Sequence, residues 1–223
     1  MLKFAIIVFP GTNCERDMYH AIVDELGQQA QYIWHSNNDP DALQDFDGIL
    51  IPGGSSFGDV IRPGAIAKDS PIMKAVHIEN AKGKLIFGVC NGFQILTQAG
   101  ILPGELQSNQ KFICKNTPIR IESNKSIFTK MYQPGQVVSY PIAHASGCYY
   151  CSPATLEELQ QNGQILFTYQ NNPNGSVADI AGITNKQGNV LGMMPHPERA
   201  LTMVLGNQEG LPLFRSMIGK LGG

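Results

Sequence analysis

The sequence predicts an α/β fold: a single domain over residues 1–223, with a mixed, mostly parallel open sheet flanked by helices and antiparallel additions after residue 100. Three observations predict it. As far as residue 100, short apolar runs rich in β-branched and aromatic residues alternate with helical patterns, which implies parallel strands joined by right-handed crossovers. The run KLIFGV at 84–89 is apolar almost throughout, as a strand buried on both faces must be. Beyond residue 100 strand patterns follow one another with one helix among them, and Lys186-Gln187-Gly188 separates two of them as a hairpin turn does.

Residues 4–9 make the first central strand, and Pro10-Gly11-Thr12-Asn13 turns the chain into a helix over 14–26. Met18, Ile22 and Leu26 recur every four positions in that helix, and Gly27 ends it. A second strand spans 31–35. Asp39-Pro40 starts a short helix, with aspartate as N-cap and proline at the first helical position. A third strand, 48–51, runs into the glycine-rich loop Pro52-Gly53-Gly54-Ser55-Ser56-Phe57-Gly58-Asp59, at the strand end where open α/β sheets place ligands. Ser70-Pro71 begins a helix to Lys82, and the strand 84–89 and a helix closed by Gly100 follow. After residue 100, 111–122 and 137–144 read as strands, Ser152-Pro153 caps a helix ending at Gly163, and 164–170 is another strand. Residues 180–185 and 189–194 form the hairpin, and Leu211, Phe214 and Ile218 pattern a final helix.

A chain of 223 residues can bury one full α/β core and is short for two. Charged residues are 15% of it, against ~25% in typical globular chains, so much of the surface is neutral and a protein partner is expected. The balance of 16 basic and 18 acidic residues, without a basic cluster, removes the electrostatic footprint of nucleic-acid binding. The apolar run 4–9 is too short for a signal-peptide core and ends in a Pro-Gly turn, so neither membrane attachment nor export is expected, and the protein is placed in the cytoplasm. Five scattered cysteines, an odd number, suit reduced thiols better than a disulfide framework. Cys148 and Cys151 form a lone C-x-x-C with no second pair to hold zinc, and no metal site is expected.

Cys90 lies at the junction of the strand 84–89 and its helix. The turn there brings the strand end against the first helical turn, so the positions two before and two after the apex have no room for side chains. They are Gly88 and Gly92. G-x-C-x-G is the cysteine form of the nucleophile elbow, and helix N-termini with a basic neighbour lower thiol pKa values to roughly 3.5–7.5. Cys14 also begins a helix but lacks the flanking glycines. The loop 52–59 is not a phosphate-binding P-loop: Gly53 and Gly58 have the spacing, but Asp59 stands where the lysine belongs. Its glycines instead let backbone N–H groups approach a reacting carbonyl.

A cysteine nucleophile needs a histidine base and that base an orienting group. His20 and His77 fall within predicted helices, and His35 has no acid beside it. His196 follows a buried-looking strand, with Pro195 and Pro197 holding it extended. In an extended segment residues two apart project to the same side, so Glu198 reaches the imidazole and fixes its tautomer.

The elbow GVCNGFQIL, the loop IPGGSSFGD and the segment GMMPHPERA together resemble class I glutamine amidotransferases. NQKFICK and NPNGSVADIAGITNKQGNVLGMMPHPER are similar to the glutaminase subunits of phosphoribosylformylglycinamidine synthases, and the likeness runs from residue 4 to about 218. The resemblance implies a triad of Cys90, His196 and Glu198, an oxyanion hole from backbone N–H groups around Gly53, Gly54 and Asn91, and a glutamine pocket lined by Gln94. It implies hydrolysis of L-glutamine through a glutamyl thioester in de novo purine biosynthesis. Ammonia would pass to a large synthetase subunit that carries ATP and Mg, with a small accessory subunit as a further partner; this chain itself would bind no cofactor. Ala145-Ser146-Gly147 stands where these subunits usually have Gly-Glu-Gly, a departure that leaves the triad untouched and keeps His144 outside the expected site. Two rival classes share parts of this pattern: a free-standing cysteine hydrolase (glutaminase or peptidase), and a non-catalytic redox-sensing α/β protein. The second would dispense with Pro-His-Pro-Glu.

Overall fold

A computed structural model describes residues 1–222. The elements are β1 (Lys3–Val8), α1 (Glu15–His20), β2 (Gln29–Trp34), β3 (Gly48–Ile51), α2 (Ile72–Ala81), β4 (Leu85–Val89) and α3 (Asn91–Gln98). There follow β5 (Glu105–Gln107), β6 (Ile113–Ile121), β7 (Val137–His144), β8 (Cys148–Tyr150), α4 (Pro153–Gln161), β9 (Ile165–Tyr169), β10 (Ile180–Thr184), β11 (Val190–Met193) and α5 (Leu211–Leu221). Among the described residues the main sheet has nine strands in the order β2-β1-β3-β4-β11-β10-β9-β6-β7. The five from β2 to β11 are mutually parallel, and the pairings from β11 outward to β7 are antiparallel. The expected mixed sheet is therefore present, with its change of direction at β11.

The centre of the sheet is covered on both faces. Successive residues of β4 point to opposite sides: a Cβ on Gly88 would meet Leu96 of α3 at 2.5 Å, while the ring of Phe87 lies 6.0 Å from that of Phe214 in α5. Gly192 of β11 pairs with Gly88, and a Cβ there would lie 2.2 Å from the Phe93 ring. The two bare positions let α3 sit close on β4 and β11. All residues of β3, β4, β10 and β11 are buried, which their unbroken apolar runs require.

Several expectations need correction. No helix follows Asp39-Pro40; residues 40–45 form turns, with Asn37 Oδ1 accepting the Asp39 N–H and Asp39 Oδ1 the Asp41 N–H, both at 3.0 Å. The aspartate side chain is used for a local turn that competes with a helix. The helix expected over 14–26 is α-helical only to His20 and continues as a π-helical stretch, Ala21–Glu25. The short pair β5 and β8 carried no strand signal at three residues each. All five cysteines are free thiols. No helix among the described residues is long and apolar enough to cross a membrane.

Candidate active site

Cys90 joins β4 to α3 with φ 52° and ψ −106°, a left-handed-side conformation that side chains other than glycine rarely adopt. Its amide donates to the Met193 carbonyl at 2.8 Å, and its own carbonyl accepts the Gln94 N–H at 3.1 Å. A Cβ on Gly92 would fall 1.9 Å from the Ile51 carbonyl oxygen, so the helix start is pressed against the end of β3. Asn91 opens the helix, and its N–H belongs to the first-turn donors that have no intrahelical acceptor.

The parallel neighbour of β4 delivers the histidine. Met193 pairs with Val89, and three residues on, the His196 N–H donates to the Pro141 carbonyl at 2.8 Å. His196 Nδ1 and Glu198 Oε1 are 2.6 Å apart, and both residues are only 1% exposed. The acid reaches the imidazole differently from the extended path expected: Pro197–Arg199 is a single 3₁₀ turn that folds Glu198 back over the ring. With Nδ1–H held by the carboxylate, Nε2 is the nitrogen left without a hydrogen-bond partner. Burial lowers the His196 pKa, but the Glu198 carboxylate and Cys90 outweigh it and raise the imidazolium to about 10.

Gly53 is the residue between base and thiol. A Cβ on it would lie 2.8 Å from His196 Cε1, 3.1 Å from Cys14 Sγ and 3.4 Å from Cys90 Cβ, and its carbonyl accepts the Asn13 and Cys14 N–H groups, each at 3.2 Å. Its bare Cα leaves room for the imidazole beside Cys90, and it is Gly54 that lines the adjoining cavity. This cavity, about 90 Å³, is walled by Gly54, Asp59, Cys90, Gln94, His144 and Ser146 among others. It is far below the roughly 300–1,000 Å³ of drug-sized pockets and suits one small molecule. A larger cavity of about 550 Å³, bounded by Arg120, Thr168 and Asp179, contains no residue of the Cys90, His196 and Glu198 cluster.

Gln94 faces the small cavity with both ends of its amide engaged. Its Oε1 accepts from Asn91 Nδ2 at 2.9 Å and its Nε2 donates to the Ser146 carbonyl. Asn91 Oδ1 accepts the Ser56 N–H at 3.1 Å, so the elbow helix is tied to the glycine-rich loop through one side chain. In and just beyond that loop Phe57, Asp59 and Ile61 have φ of 54°, 54° and 73°.

Cys14 lies behind the cluster. Its ligand atom and those of His196 and Glu198 are within 4.8 Å of one another, but the Arg199 guanidinium sits 3.0 Å from Cys14 Sγ, which opposes a cation there. Burial, aided by Glu198, pushes the Cys14 thiol up to about 12. Arg199 also donates from Nε to Asp17 Oδ2 at 2.9 Å, pinning the 3₁₀ turn to α1. Sequence reasoning passed over Arg199 and placed His144 outside the site. His144 lines the same cavity as Cys90, and the signal in the sequence was the run of Val138, Tyr140 and Ile142 at every second position before it, the face that is buried along β7.

A family model described as a CobB/CobQ-like glutamine amidotransferase domain matches residues 1–212. The structure of PurLQS from Thermotoga maritima is similar over 99% of this chain and 100% of that one, with 38% identity and a TM-score of 0.91. A glutamine amidotransferase from the same organism is 13% identical, with a TM-score of 0.66 over 99% of this chain and 97% of that one, and shares the fold.

Proposed function

The chain belongs to the CobB/CobQ-like glutamine amidotransferases, and from that premise we propose that it is the glutaminase subunit of a phosphoribosylformylglycinamidine synthase, acting in the cytoplasm. The observation that carries the chemistry is the 2.6 Å His196–Glu198 pair packed against Cys90 across the bare Cα of Gly53. In this reading Cys90 gives its thiol proton to His196, its sulfur attacks the side-chain amide carbon of L-glutamine, and His196 passes that proton to the nitrogen that departs as ammonia. The N–H groups of Gly54 and Asn91 stabilise the oxyanion, and water then hydrolyses the glutamyl thioester with His196 as base. Glu198 orients the imidazole and stabilises its cation.

The small cavity favours a single amino acid over the open groove a peptidase needs, and the buried His-Glu pair argues against a redox sensor that needs no base. No loop of the chain pairs glycines with a lysine for nucleotide phosphates, so the amidation step falls to a separate ATP- and Mg-using synthetase, with a small accessory subunit as a further partner. The 38% identity with PurLQS over the full length supports that assembly. Phe112, on the cavity wall, and Val60 and Ile61, next to Asp59, are exposed apolar residues suited to cover by a partner.

The test is glutamate release from glutamine by the chain alone and reconstituted with the synthetase, its amide acceptor and ATP. We expect turnover to rise about 10²- to 10³-fold in the complex, the size of one oxyanion donor brought into line by docking. With Cys90→Ser the complex should lose glutamine-dependent product and keep ammonia-dependent product. Equal rates for the free chain and the complex would favour a free-standing glutaminase.

A further inference from the structure

His144 closes β7, is 3% exposed and forms part of the wall of the cavity beside Cys90. Its ring nitrogens are in opposite situations. Asn109 donates from Nδ2 to His144 Nδ1 and to the His144 carbonyl, both at 2.9 Å. Asn109 Oδ1 accepts from the Gly147 N–H at 3.1 Å and from Asn174 Nδ2 at 3.2 Å. Turning the amide over would set Oδ1 against the His144 carbonyl and Nδ2 against the Gly147 N–H, two backbone groups whose roles are fixed, so its orientation is settled, Nδ1 is an acceptor, and the ring proton sits on Nε2. That Nε2 is buried without a partner. The ring cannot swing away to find one, because Gly147 is packed flat against it: a Cβ there would lie 2.4 Å from Nδ1 and Cε1. Burial, with His196 beside it, pushes His144 down to about 4, so it is a neutral donor at physiological pH.

A buried donor fixed in one tautomer and lacking an acceptor in the free protein calls for an explanation, and a ligand acceptor supplies one. Glutamine presents three polar groups. In the glutaminase reading its amide oxygen goes to the N–H groups of Gly54 and Asn91, and the Asp59 carboxylate on the cavity wall is the acceptor available to its α-ammonium. Its α-carboxylate has no lysine or arginine among the wall residues, and the Gln94 amide is already committed to Asn91 and Ser146. We propose that His144 is a specificity-determining residue whose Nε2–H donates to the α-carboxylate of bound glutamine, with Asn109 as the residue that positions it. The proposal rests on the glutaminase reading above.

The experiment compares labelling of Cys90 in the full chain by a chloroketone analogue of glutamine and by iodoacetamide, which has no α-carboxylate. In His144→Phe the chloroketone should react about ten- to a hundredfold more slowly, the loss expected for removing a donor to a charged group, while iodoacetamide changes by less than about threefold. His144→Gln, which returns an N–H near the position of Nε2, should recover most of the chloroketone rate. Equal slowing of both reagents would mean a structural role and overturn the proposal, as would an unchanged chloroketone rate. A wild-type chain that shows no preference for the amino-acid reagent would instead bring down the glutaminase reading, and the proposal with it.

Discussion

The Cys90 amide donates to the Met193 carbonyl at 2.8 Å, so one backbone hydrogen bond ties the elbow to the strand that leads into His196. The bond continues the β4–β11 ladder beyond the Val89–Met193 pair. Two residues separated by more than a hundred positions in sequence thus emerge side by side from the carboxyl ends of adjacent parallel strands, the place where such sheets hold their ligands.

Cys90→Ser should abolish glutaminase activity, whereas Cys14→Ser should keep most of it. Both cysteines are close to His196, but the Cys14 thiol is pushed up to about 12 by burial and stays protonated at physiological pH. Mapping the peptide labelled by a glutamine-derived electrophile checks the assignment. Label on Cys14 alone would reverse it.

Glu198→Gln should lower turnover by a smaller factor than His196→Ala, by roughly ten- to a hundredfold less, because losing an orienting acid leaves the base in place. Steady-state kcat of the two variants, with folding verified by near-ultraviolet circular dichroism, measures the difference. Equal losses would mean that Glu198 does more than orient the 2.6 Å contact.

Gly92→Ala should prevent stable folding, since its Cβ would sit 1.9 Å from a backbone oxygen of β3 that has no freedom to move. Gly219→Ala is the contrasting case. It lies in α5 with nothing within 4 Å of the added methyl group, so the variant should gain about 0.5–1 kcal/mol from helix propensity. Chemical denaturation of the two proteins tests both, and a stable Gly92→Ala chain would contradict the close approach of α3.

Acidification should destabilise the protein through His144. Its folded pKa is depressed to about 4, below the roughly 6.5 of an unfolded histidine, so between these values the unfolded chain binds more protons and stability falls as pH falls. Between pH 7 and pH 5 this one group accounts for about 2 kcal/mol. His144→Phe should therefore lose less stability than the wild type over that interval in urea titrations; identical losses would show that His144 does not titrate in this way.

The sequence by itself determined the elements and the chemistry that local pattern controls. The apolar runs 4–9, 48–51 and 84–89 could only be buried strands, and two glycines flanking Cys90 marked a close approach of helix to sheet that the 1.9 Å and 2.5 Å positions bear out. The pairing of His196 with Glu198 was likewise legible from two positions in a proline-framed segment, although the turn that produces it was not. What only the tertiary structure decided is which distant residues meet. Insertion of β11 between β4 and β10 brings His196 to Cys90, and the meeting of β7, Asn109 and Gly147 fixes the His144 ring. Strand order and ring tautomer depend on long-range hydrogen bonds, and these leave no periodicity in the sequence because partners such as Asn109 and His144 lie 35 residues apart.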